Sequence, residues 1–283
     1  MDRYETADSD ILKVVAHDLR NPLTCIESYA ELLLADNVSG ADRRKILSRI
    51  LSCTRWASHI VNDLTDSEAV EQGKLTLSSQ LLSLEAVVAE AVEDFRVLCE
   101  ARGVALALKI EARGSQGMAD GMRVRQVLSN LLVNALKHSA SGGRIAVVMA
   151  ETDAEVVVTV EDDGEGIDPN HLSRIFEKFY QAGKDGRGSL GLGLFISRSI
   201  VELHGGRIWA ASDGLGRGAA FSFTLPKYLP DVAYDRYRAF RAQPTPPPRR
   251  MAREQAAAPA TGLGRLWEAL RRLLPGKTTP AVS

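Results

Sequence analysis

His17 stands beside Asp18 in the string HDLRNPL, and this pair could carry nucleophilic chemistry. An imidazole can attack phosphorus through Nε2 while a neighbouring carboxylate takes the Nδ1 proton. Pro22 follows one turn later, where a proline inside a helix loses a hydrogen bond and costs roughly 3 kcal/mol. The apolar pattern does not require this proline, so its position favours a functional interpretation over an ordinary solvated His-Asp pair.

The segment around His17 has the spacing of an amphipathic helix. Its apolar positions are three or four residues apart. They are Leu12, Val15, Leu19, Leu23, Ile26, Ala30 and Leu33. At about 100° per residue, His17 falls almost opposite the centre of this stripe, so we expect the imidazole to face solvent.

A second apolar stripe with the same spacing follows a break at residues 37–40. Its members are Ile46, Ile50, Cys53, Ala57, Ile60 and Leu64. Two such helices joined by a short loop predict an antiparallel hairpin in which each helix buries one narrow face. Dimerisation into a four-helix bundle is the simplest way to cover the rest. From the stripes alone, a coiled-coil hairpin without chemistry is the favoured alternative.

The composition limits the class of protein. The 283 residues, 45% hydrophobic and 25% charged, suffice for two modest globular units and a tail. A net charge of −1 gives no reason to expect nucleic-acid binding. The three cysteines lack metal-type spacing and fit a reducing cytoplasm. The polar start is unlike a signal peptide, and no apolar run approaches the roughly 18 residues of a membrane span.

The chain after the hairpin, from Gly73 to about Lys227, alternates strand and helix patterns. Predicted helices cover residues 84–102, 120–138 and 192–203, with a short helix from Pro169. Predicted strands cover residues 104–110, 144–150, 155–161, 207–211 and 218–225. This order predicts one α/β sandwich, with the helices on one face of a mixed sheet.

The tail contains the proline-rich string QPTPPPRR, which favours an extended or disordered segment. Leucines and Trp267 then alternate with arginines over residues 263–274. A basic amphipathic helix of this kind fits a membrane surface or a partner groove. A marginal helix at a terminus fits the same residues at least as well.

Asn130 and Asn134 lie four residues apart on one predicted helix and therefore share a face. This placement suits one carboxamide bound to a metal and a second amide beside it. Lys137, one turn further on, could contact phosphate oxygens. An asparagine pair alone is weak evidence, since helices tolerate such residues on any wet face.

Two glycine-rich strings complete the candidate nucleotide site. Asp162 lies at the end of the strand in the string VVVTVEDD and could accept a hydrogen bond from an exocyclic amine such as adenine N6. Gly164 and Gly166 would let the backbone approach a flat ring. Residues 183–193 are dense in glycine and lead into a helix near Leu192, whose N-terminal N–H groups suit an anion. A plain turn and a flexible hairpin are the alternatives for these two strings.

Together these strings resemble the sensor histidine kinase family over residues 9–227. HDLRNPL is similar to its phosphoacceptor box, NLLVNALKH to its N box, EDDGEGI and GSLGLGLFI to its two glycine boxes, and IFEKFY to its F box. The string LGLGLFI also resembles a known subgroup variant. The resemblance implies an α+β chain: a dimeric phosphoacceptor bundle (1–72), an ATP-binding sandwich shared with DNA gyrase and mismatch-repair ATPases (73–227), and a tail (228–283).

The resemblance also implies roles for the hairpin residues. His17 would be the phosphorylated residue, Asp18 its acid/base partner, and Asn21 the position implicated in phosphatase activity toward the partner.

In the F box, the resemblance implies that Phe176 and Phe179 anchor the nucleotide lid by packing.

In the sandwich, the resemblance assigns Asn134 as the Mg²⁺ ligand, Asn130 as its companion and Lys137 as a phosphate contact. By the same resemblance Asp162 would hold adenine, Gly164 and Gly166 would line the base, and Gly191 and Gly193 would border the triphosphate. Leu192, between these two glycines, is the remaining ATP-binding position. In the gyrase-type relatives a glutamate at the Asn130 position activates water. An amide here fits transfer to His17 better than free hydrolysis.

The expected function is autophosphorylation of His17 from ATP and Mg²⁺, followed by transfer to an aspartate of a response regulator, with phosphatase activity toward that partner. We expect a cytoplasmic homodimer with an unknown upstream input, because only about ten residues precede the acceptor helix. The alternatives are a histidine phosphotransfer protein and a non-catalytic dimeric scaffold with an ATP-gated conformational switch. His59, His171 and His204 receive no chemical role; His204 is expected to cap a helix end.

Overall fold

The computed structural model describes residues 2–34, 39–112, 114–182 and 190–228. Contacts divide the chain into two compact units: Met1–Leu75 with Ile175–Ile196, and Thr76–Arg174 with the chain from Ser197 onward. The predicted proline-rich tail, the basic cluster at 263–274 and residues 37–38 of the predicted break between the first two helices lie outside the described residues.

The first unit contains the predicted helical hairpin. Its helices are α1 (Asp2–Leu34) and α2 (Gly40–Glu71), and they pack against each other. The Ser39 side chain caps α2 by accepting a hydrogen bond from the Asp42 N–H at 3.2 Å. Helix α1 continues through Pro22, whose ring is buried.

The second unit is built on a mixed sheet. The chain adds three helices after the hairpin: α3 (Leu84–Ala101), α4 (Gly121–His138) and α5 (Gly193–Leu203). The strands are β1 (Gln80–Ser83), β2 (Ala105–Ile110), β3 (Gln116–Ala119), β4 (Arg144–Glu151), β5 (Glu155–Asp162), β6 (Ile208–Ala211) and β7 (Ala219–Pro226). Five of them form the order β2-β4-β5-β7-β6, in which only β2 and β4 are parallel. The predicted α/β architecture is confirmed.

The core lies between this sheet and the helices. Helices α3 and α4 pack together and lie on β2, β4 and β5. Every second residue of β5 points to this side and is buried, from Val156 through Val158 and Val160 to Asp162. The pleat therefore carries Asp162 to the same side of the sheet as the core, next to α4.

Two features differ from the sequence predictions. Strands β1 and β3 were not predicted; each has only four residues, and Leu81 and Met118 stand opposite each other with about half of their surface exposed. The short helix predicted from Pro169 is wrong. Residues 169–176 form turns closed by bonds such as Arg174 N–H to His171 C=O at 2.9 Å, and the Asp168 side chain takes the Asn170 N–H.

Candidate functional site

The imidazole of His17 faces solvent, as its position opposite the apolar stripe predicts. Its side chain is 68% exposed, and Nδ1 lies 3.3 Å from Asp18 Oδ1. The Asp18 side chain is only 8% exposed, so the carboxylate has a fixed environment. With Nδ1 turned to the carboxylate, Nε2 is the nitrogen left for an incoming electrophile. Asn21, one turn further along α1, is exposed.

Helix α4 presents the asparagine face predicted from its spacing. Asp120 caps the helix by accepting the Arg123 N–H at 3.1 Å, which fixes where the helix begins. Exposure increases along the face: Asn130 is buried, Asn134 half-buried and Lys137 exposed. The face therefore runs from the interior of the unit to its surface within two turns.

Ser197 on α5 is a partner of this face that the sequence analysis missed. Asn130 Nδ2 donates to Ser197 Oγ at 3.2 Å, and Ser197 is completely buried. This bond fixes one end of the Asn130 carboxamide. The sequence does contain a sign of this partner, because Ser197 is a polar residue on an otherwise apolar helix face, between the buried Ile196 and Ile200.

The donor set around Asn134 fits Mg²⁺ bound together with a nucleotide. Within the described ranges, no group of three or more histidine, cysteine, aspartate and glutamate side chains is placed to hold a metal ion. Mg²⁺ at nucleotide sites takes one or two protein oxygens and completes its shell with water and phosphate oxygens. Asn134 is half-buried, and its carboxamide group is compatible with that kind of coordination.

Asp162 is held rigidly at the end of β5. It is 4% exposed, and Oδ1 accepts the Gly164 N–H at 2.9 Å. Burial raises the pKa of Asp162, and hydrogen bonds from the backbone N–H groups of Gly164 and Ala219 work against that rise. The result is a buried acceptor whose orientation is set by backbone.

The preceding residue, Glu161, points to the opposite side of the sheet. It is 1% exposed, and among the described residues neither of its carboxylate oxygens has a hydrogen-bond partner. Burial, and to a lesser degree the charge of Asp162, raises the pKa of Glu161 to about 7. The strand end thus carries two buried carboxyl groups, of which only Asp162 is hydrogen-bonded.

Gly164 and Gly166 are required by backbone packing. A Cβ at Gly164 would lie 2.2 Å from the His138 carbonyl oxygen at the end of α4, and one at Gly166, where φ is 70°, would lie 2.1 Å from the Gly214 carbonyl oxygen. The same loop is tied to α4 by the Glu165 carboxylate, 3.0 Å from His138 Nδ1. Both glycines are therefore needed for backbone packing, in addition to the approach to a flat ring predicted from the sequence.

The second glycine string leads into α5 through a tight backbone approach in the first unit. Gly191 has φ of 67° and accepts the Phe179 N–H at 3.1 Å; Phe179 itself has φ of 61°. Phe176 is buried, and Lys178 Nζ lies 4.8 Å from the centre of the Phe179 ring. Leu192 is buried and Gly193 opens the helix. Residues 183–189 lie outside the described chain.

Two family profiles match the parts that carry these sites. Residues 7–73 match the His kinase A (phospho-acceptor) domain, and residues 119–229 match the histidine kinase-, DNA gyrase B- and HSP90-like ATPases. Both occur in the order that the motifs predict.

The chain belongs to the sensor histidine kinase family.

Relatives from this family cover most of the chain. It is 33% identical to the sensor protein KdpD of Clostridium acetobutylicum over 230 residues, which are 80% of this chain and 25% of KdpD. It is 29% identical to the sensor protein SrrB of Staphylococcus aureus over 222 residues, 77% of this chain and 38% of SrrB. The chain thus spans a quarter to two fifths of these relatives.

A solved structure with a bound nucleotide analogue has a similar fold. Full-length ShkA in complex with AMPPNP is 25% identical, with a TM-score of 0.57, over 77% of this chain and 46% of ShkA. In the described part of this family member, no helix combines the length and the apolar character needed to cross a membrane.

His204 caps a helix end in this kinase-family fold, as predicted. Nδ1 donates to the Ile200 carbonyl at 2.8 Å, and Nε2 accepts the Asp120 N–H at 3.0 Å. Nε2 can accept this hydrogen bond only when the ring is neutral, and burial lowers the pKa of His204 in the direction that favours the neutral form. The imidazole therefore joins the end of α5 to the start of α4.

Proposed function

We propose that this chain is an ATP-dependent protein histidine kinase that phosphorylates His17. The observation that carries the proposal is the exposed imidazole whose Nδ1 is turned to the Asp18 carboxylate. When Nε2 attacks the γ-phosphorus, the bond from that phosphorus to the bridging oxygen breaks and ADP leaves. Asp18 then stabilises the positive charge that develops on the ring and takes the Nδ1 proton.

The adenine site is proposed at the end of β5. Asp162, buried and oriented by backbone N–H groups, would accept the adenine amino group, with Gly164 and Gly166 lining the base. The bound AMPPNP named for ShkA supports a nucleotide ligand for this fold. Gly191, Leu192 and Gly193 would border the triphosphate, because the N–H groups in the first turn of a helix suit an anion.

The phosphate end of the site is proposed on the asparagine face of α4. Asn134 would be a ligand of Mg²⁺, and Lys137 would contact phosphate oxygens. The buried Asn130 would lie beside Asn134 on the same face of α4. A bound Mg²⁺ ion would neutralise part of the negative charge of the phosphates. An amide at Asn130 leaves no carboxylate there to activate water, which favours transfer to a histidine over hydrolysis.

A homodimer is proposed from the outer surface of the hairpin. Several large apolar side chains of α1 and α2 are between 46% and 82% exposed: Leu23, Leu32, Leu34, Leu47, Leu51 and Val61. A second hairpin would cover them as a four-helix bundle. We propose domain limits at residues 72 and 227, a cytoplasmic location, and an upstream input protein outside the chain.

The partner that receives the phosphoryl group is proposed to be the aspartate of a response-regulator receiver domain. Asn21, exposed one turn after His17, would be available to position water when the kinase acts as a phosphatase toward that partner. Contact of the C-terminal tail with a membrane is the less favoured role for that segment.

Incubation with γ-labelled ATP tests the proposal. Wild type should acquire acid-labile, alkali-stable label, while His17→Gln and Asn134→Ala should not. Label that persists in His17→Gln would refute the acceptor assignment. Label absent from a folded wild type that still binds ATP would favour the scaffold with an ATP-gated switch.

A further inference from the structure

The last turn of α2 carries an unfavourable arrangement of charges. Residues 68–71 include Glu68 and Glu71 and no basic side chain. The C-terminal end of a helix has a partial negative charge, so a carboxylate there is destabilised unless a cation lies near it. Glu68 accepts a hydrogen bond from Gln72 Nε2 at 2.8 Å, which is a neutral partner. The end of α2 thus favours a positive charge from another part of the chain.

Lys178 of the F box supplies this charge. Its Nζ lies 2.8 Å from Glu71 Oε1, and its side chain is only 23% exposed. Lys74 is much closer to Glu71 in sequence, but its Nζ donates to Gln72 Oε1 at 2.7 Å. The cation at Glu71 therefore comes from a distant segment that belongs to the same compact unit as the hairpin. We call the Lys178–Glu71 pair the latch.

The residue after Lys178 has a strained backbone conformation. Phe179 has φ of 61°, in the left-handed region that residues with a Cβ rarely adopt. Lys178 Nζ lies 4.8 Å from the centre of the Phe179 ring, and the Phe179 N–H donates to the Gly191 carbonyl at 3.1 Å. Strained residues persist where the surrounding contacts fix them. Lys178 therefore connects the end of α2 to the residue that holds Gly191.

The latch lies far from the acceptor histidine along the hairpin. Counted from the turn between Leu34 and Gly40, Glu71 lies about 14 residues further along the antiparallel hairpin than His17, which is roughly 20 Å at 1.5 Å per residue. Gly191, which we propose to border the triphosphate, is bonded to the neighbour of Lys178. While the latch is closed, Gly191 is thus held towards the end of α2 and away from His17.

We propose that the latch is autoinhibitory and must open before a triphosphate can reach Nε2 of His17. This inference rests on the phosphorylation proposed for His17. The Glu71 side chain is 56% exposed, and ion pairs with such access to water change an equilibrium by a factor of about two to five. A contact of this strength holds a resting state and still yields to a movement of α2 or to nucleotide binding.

Neutral and reversed charges test the latch. The measured quantity is the initial rate of labelling from γ-labelled ATP at saturating ATP. Lys178→Gln and Glu71→Gln should each label about two- to fivefold faster than wild type. The double variant should be no faster than either, because both changes remove the same contact. The reversed pair, Lys178→Glu with Glu71→Lys, should return the rate towards that of wild type.

Two variants at the same helix end are matched controls. Lys74→Gln and Glu68→Gln each remove a charge next to the latch but leave its two members in place, so both should label at the wild-type rate.

Hydrogen exchange provides a readout that is independent of phosphorylation. It is measured without nucleotide, by mass spectrometry, on the peptide that contains residues 175–180. Exchange of this peptide should be faster in Lys178→Gln and Glu71→Gln than in wild type, and slow again in the reversed pair.

Two results would overturn the proposal. One is a labelling rate in Lys178→Gln or Glu71→Gln that is equal to or lower than that of wild type, with both variants folded by circular dichroism. The other is unchanged exchange of the 175–180 peptide in both single variants. If wild type acquires no label, the phosphorylation proposed for His17 fails, and the exchange measurement alone decides whether the latch exists.

Discussion

The hairpin carries two histidine-carboxylate pairs, one on each helix. In the first, His17 and Asp18 are adjacent in sequence, and Nδ1 faces the carboxylate at 3.3 Å. In the second, His59 and Asp63 are one turn apart, and Nε2 faces the carboxylate at 3.5 Å. The nitrogen engaged by the carboxylate therefore differs, and only His17 keeps Nε2 for an attack.

The surroundings of the two pairs differ as well. The His17 side chain is 68% exposed and that of His59 is 43% exposed. Within the described structure, Asp63 Oδ1 has no hydrogen-bond partner, and burial raises the pKa of Asp63 to about 6 although His59 works against the rise. The comparison teaches that a histidine beside a carboxylate becomes a candidate acceptor through the choice of nitrogen and its exposure.

The largest expected effect separates the two histidines directly. His17→Gln should abolish labelling from γ-labelled ATP, because no Nε2 nucleophile remains at that position. His59→Gln should retain labelling near the wild-type rate, because its Nε2 is turned to Asp63. Equal loss in both variants, with both folded by circular dichroism, would remove the distinction between the pairs.

The next effect concerns the carboxylates. Asp18→Asn should slow labelling by about 10²–10⁴-fold, because an amide can donate to Nδ1 and place the ring proton on the attacking Nε2. Asp63→Asn is the matched change on α2 and should label near the wild-type rate. Initial rates at saturating ATP measure both; an Asp18→Asn rate equal to wild type would contradict the role of the Nδ1 contact.

Glu161 in the second unit is, like Asp63 in the hairpin, a buried carboxyl group with a raised pKa. Its pKa is raised from an ordinary 4.5 to about 7, so between these values the folded state holds a proton that the unfolded state has released. The unfolding free energy therefore falls as pH rises through this window. Glu161→Gln should stabilise the protein by about 2–3 kcal/mol at pH 8 and by much less at pH 4.

Thermal unfolding at the two pH values measures this difference. Glu100→Gln, at an exposed glutamate near the end of α3, is the control and should show no comparable gain at either pH. A gain of equal size at both pH values would point to packing instead of ionisation.

Asp63 should show a smaller effect of the same sign. Its pKa is raised from 3.8 to about 6, so stability falls as pH rises through that window, and the nearby His59 compensates part of the cost. Asp63→Asn should stabilise the hairpin by about 1–2 kcal/mol above pH 7 and by almost nothing below pH 4. Denaturant unfolding followed by circular dichroism checks it, and a loss of stability at pH 8 would contradict the account.

Much of the fold follows from patterns that the sequence displays. The helices of the second unit and the five strands of its main sheet begin and end within one residue of their predicted bounds, because buried stripes and turn glycines mark them. Strands β1 and β3 were not predicted because each has only four residues, too few to show a clear strand pattern in the sequence. The helix predicted from Pro169 failed because the Asp168 side chain supports turns there.

The candidate site divides in the same way. The exposure of His17 and the common face of Asn130 and Asn134 follow from helical spacing alone. The Ser197 bond to Asn130 and the approach of Gly164 to the end of α4 depend on tertiary packing between segments far apart in sequence. The subgroup suggested by LGLGLFI stays a prediction.

Mapping the phosphoryl group on the labelled chain tests the central claim most directly. Digestion under alkaline conditions, followed by mass spectrometry and phosphorus NMR of the modified peptide, identifies both the residue and the ring nitrogen. We predict phosphorylation of His17 at Nε2. A phosphoryl group on His59, or on Nδ1 of His17, would contradict the claim that the Asp18 contact selects the acceptor.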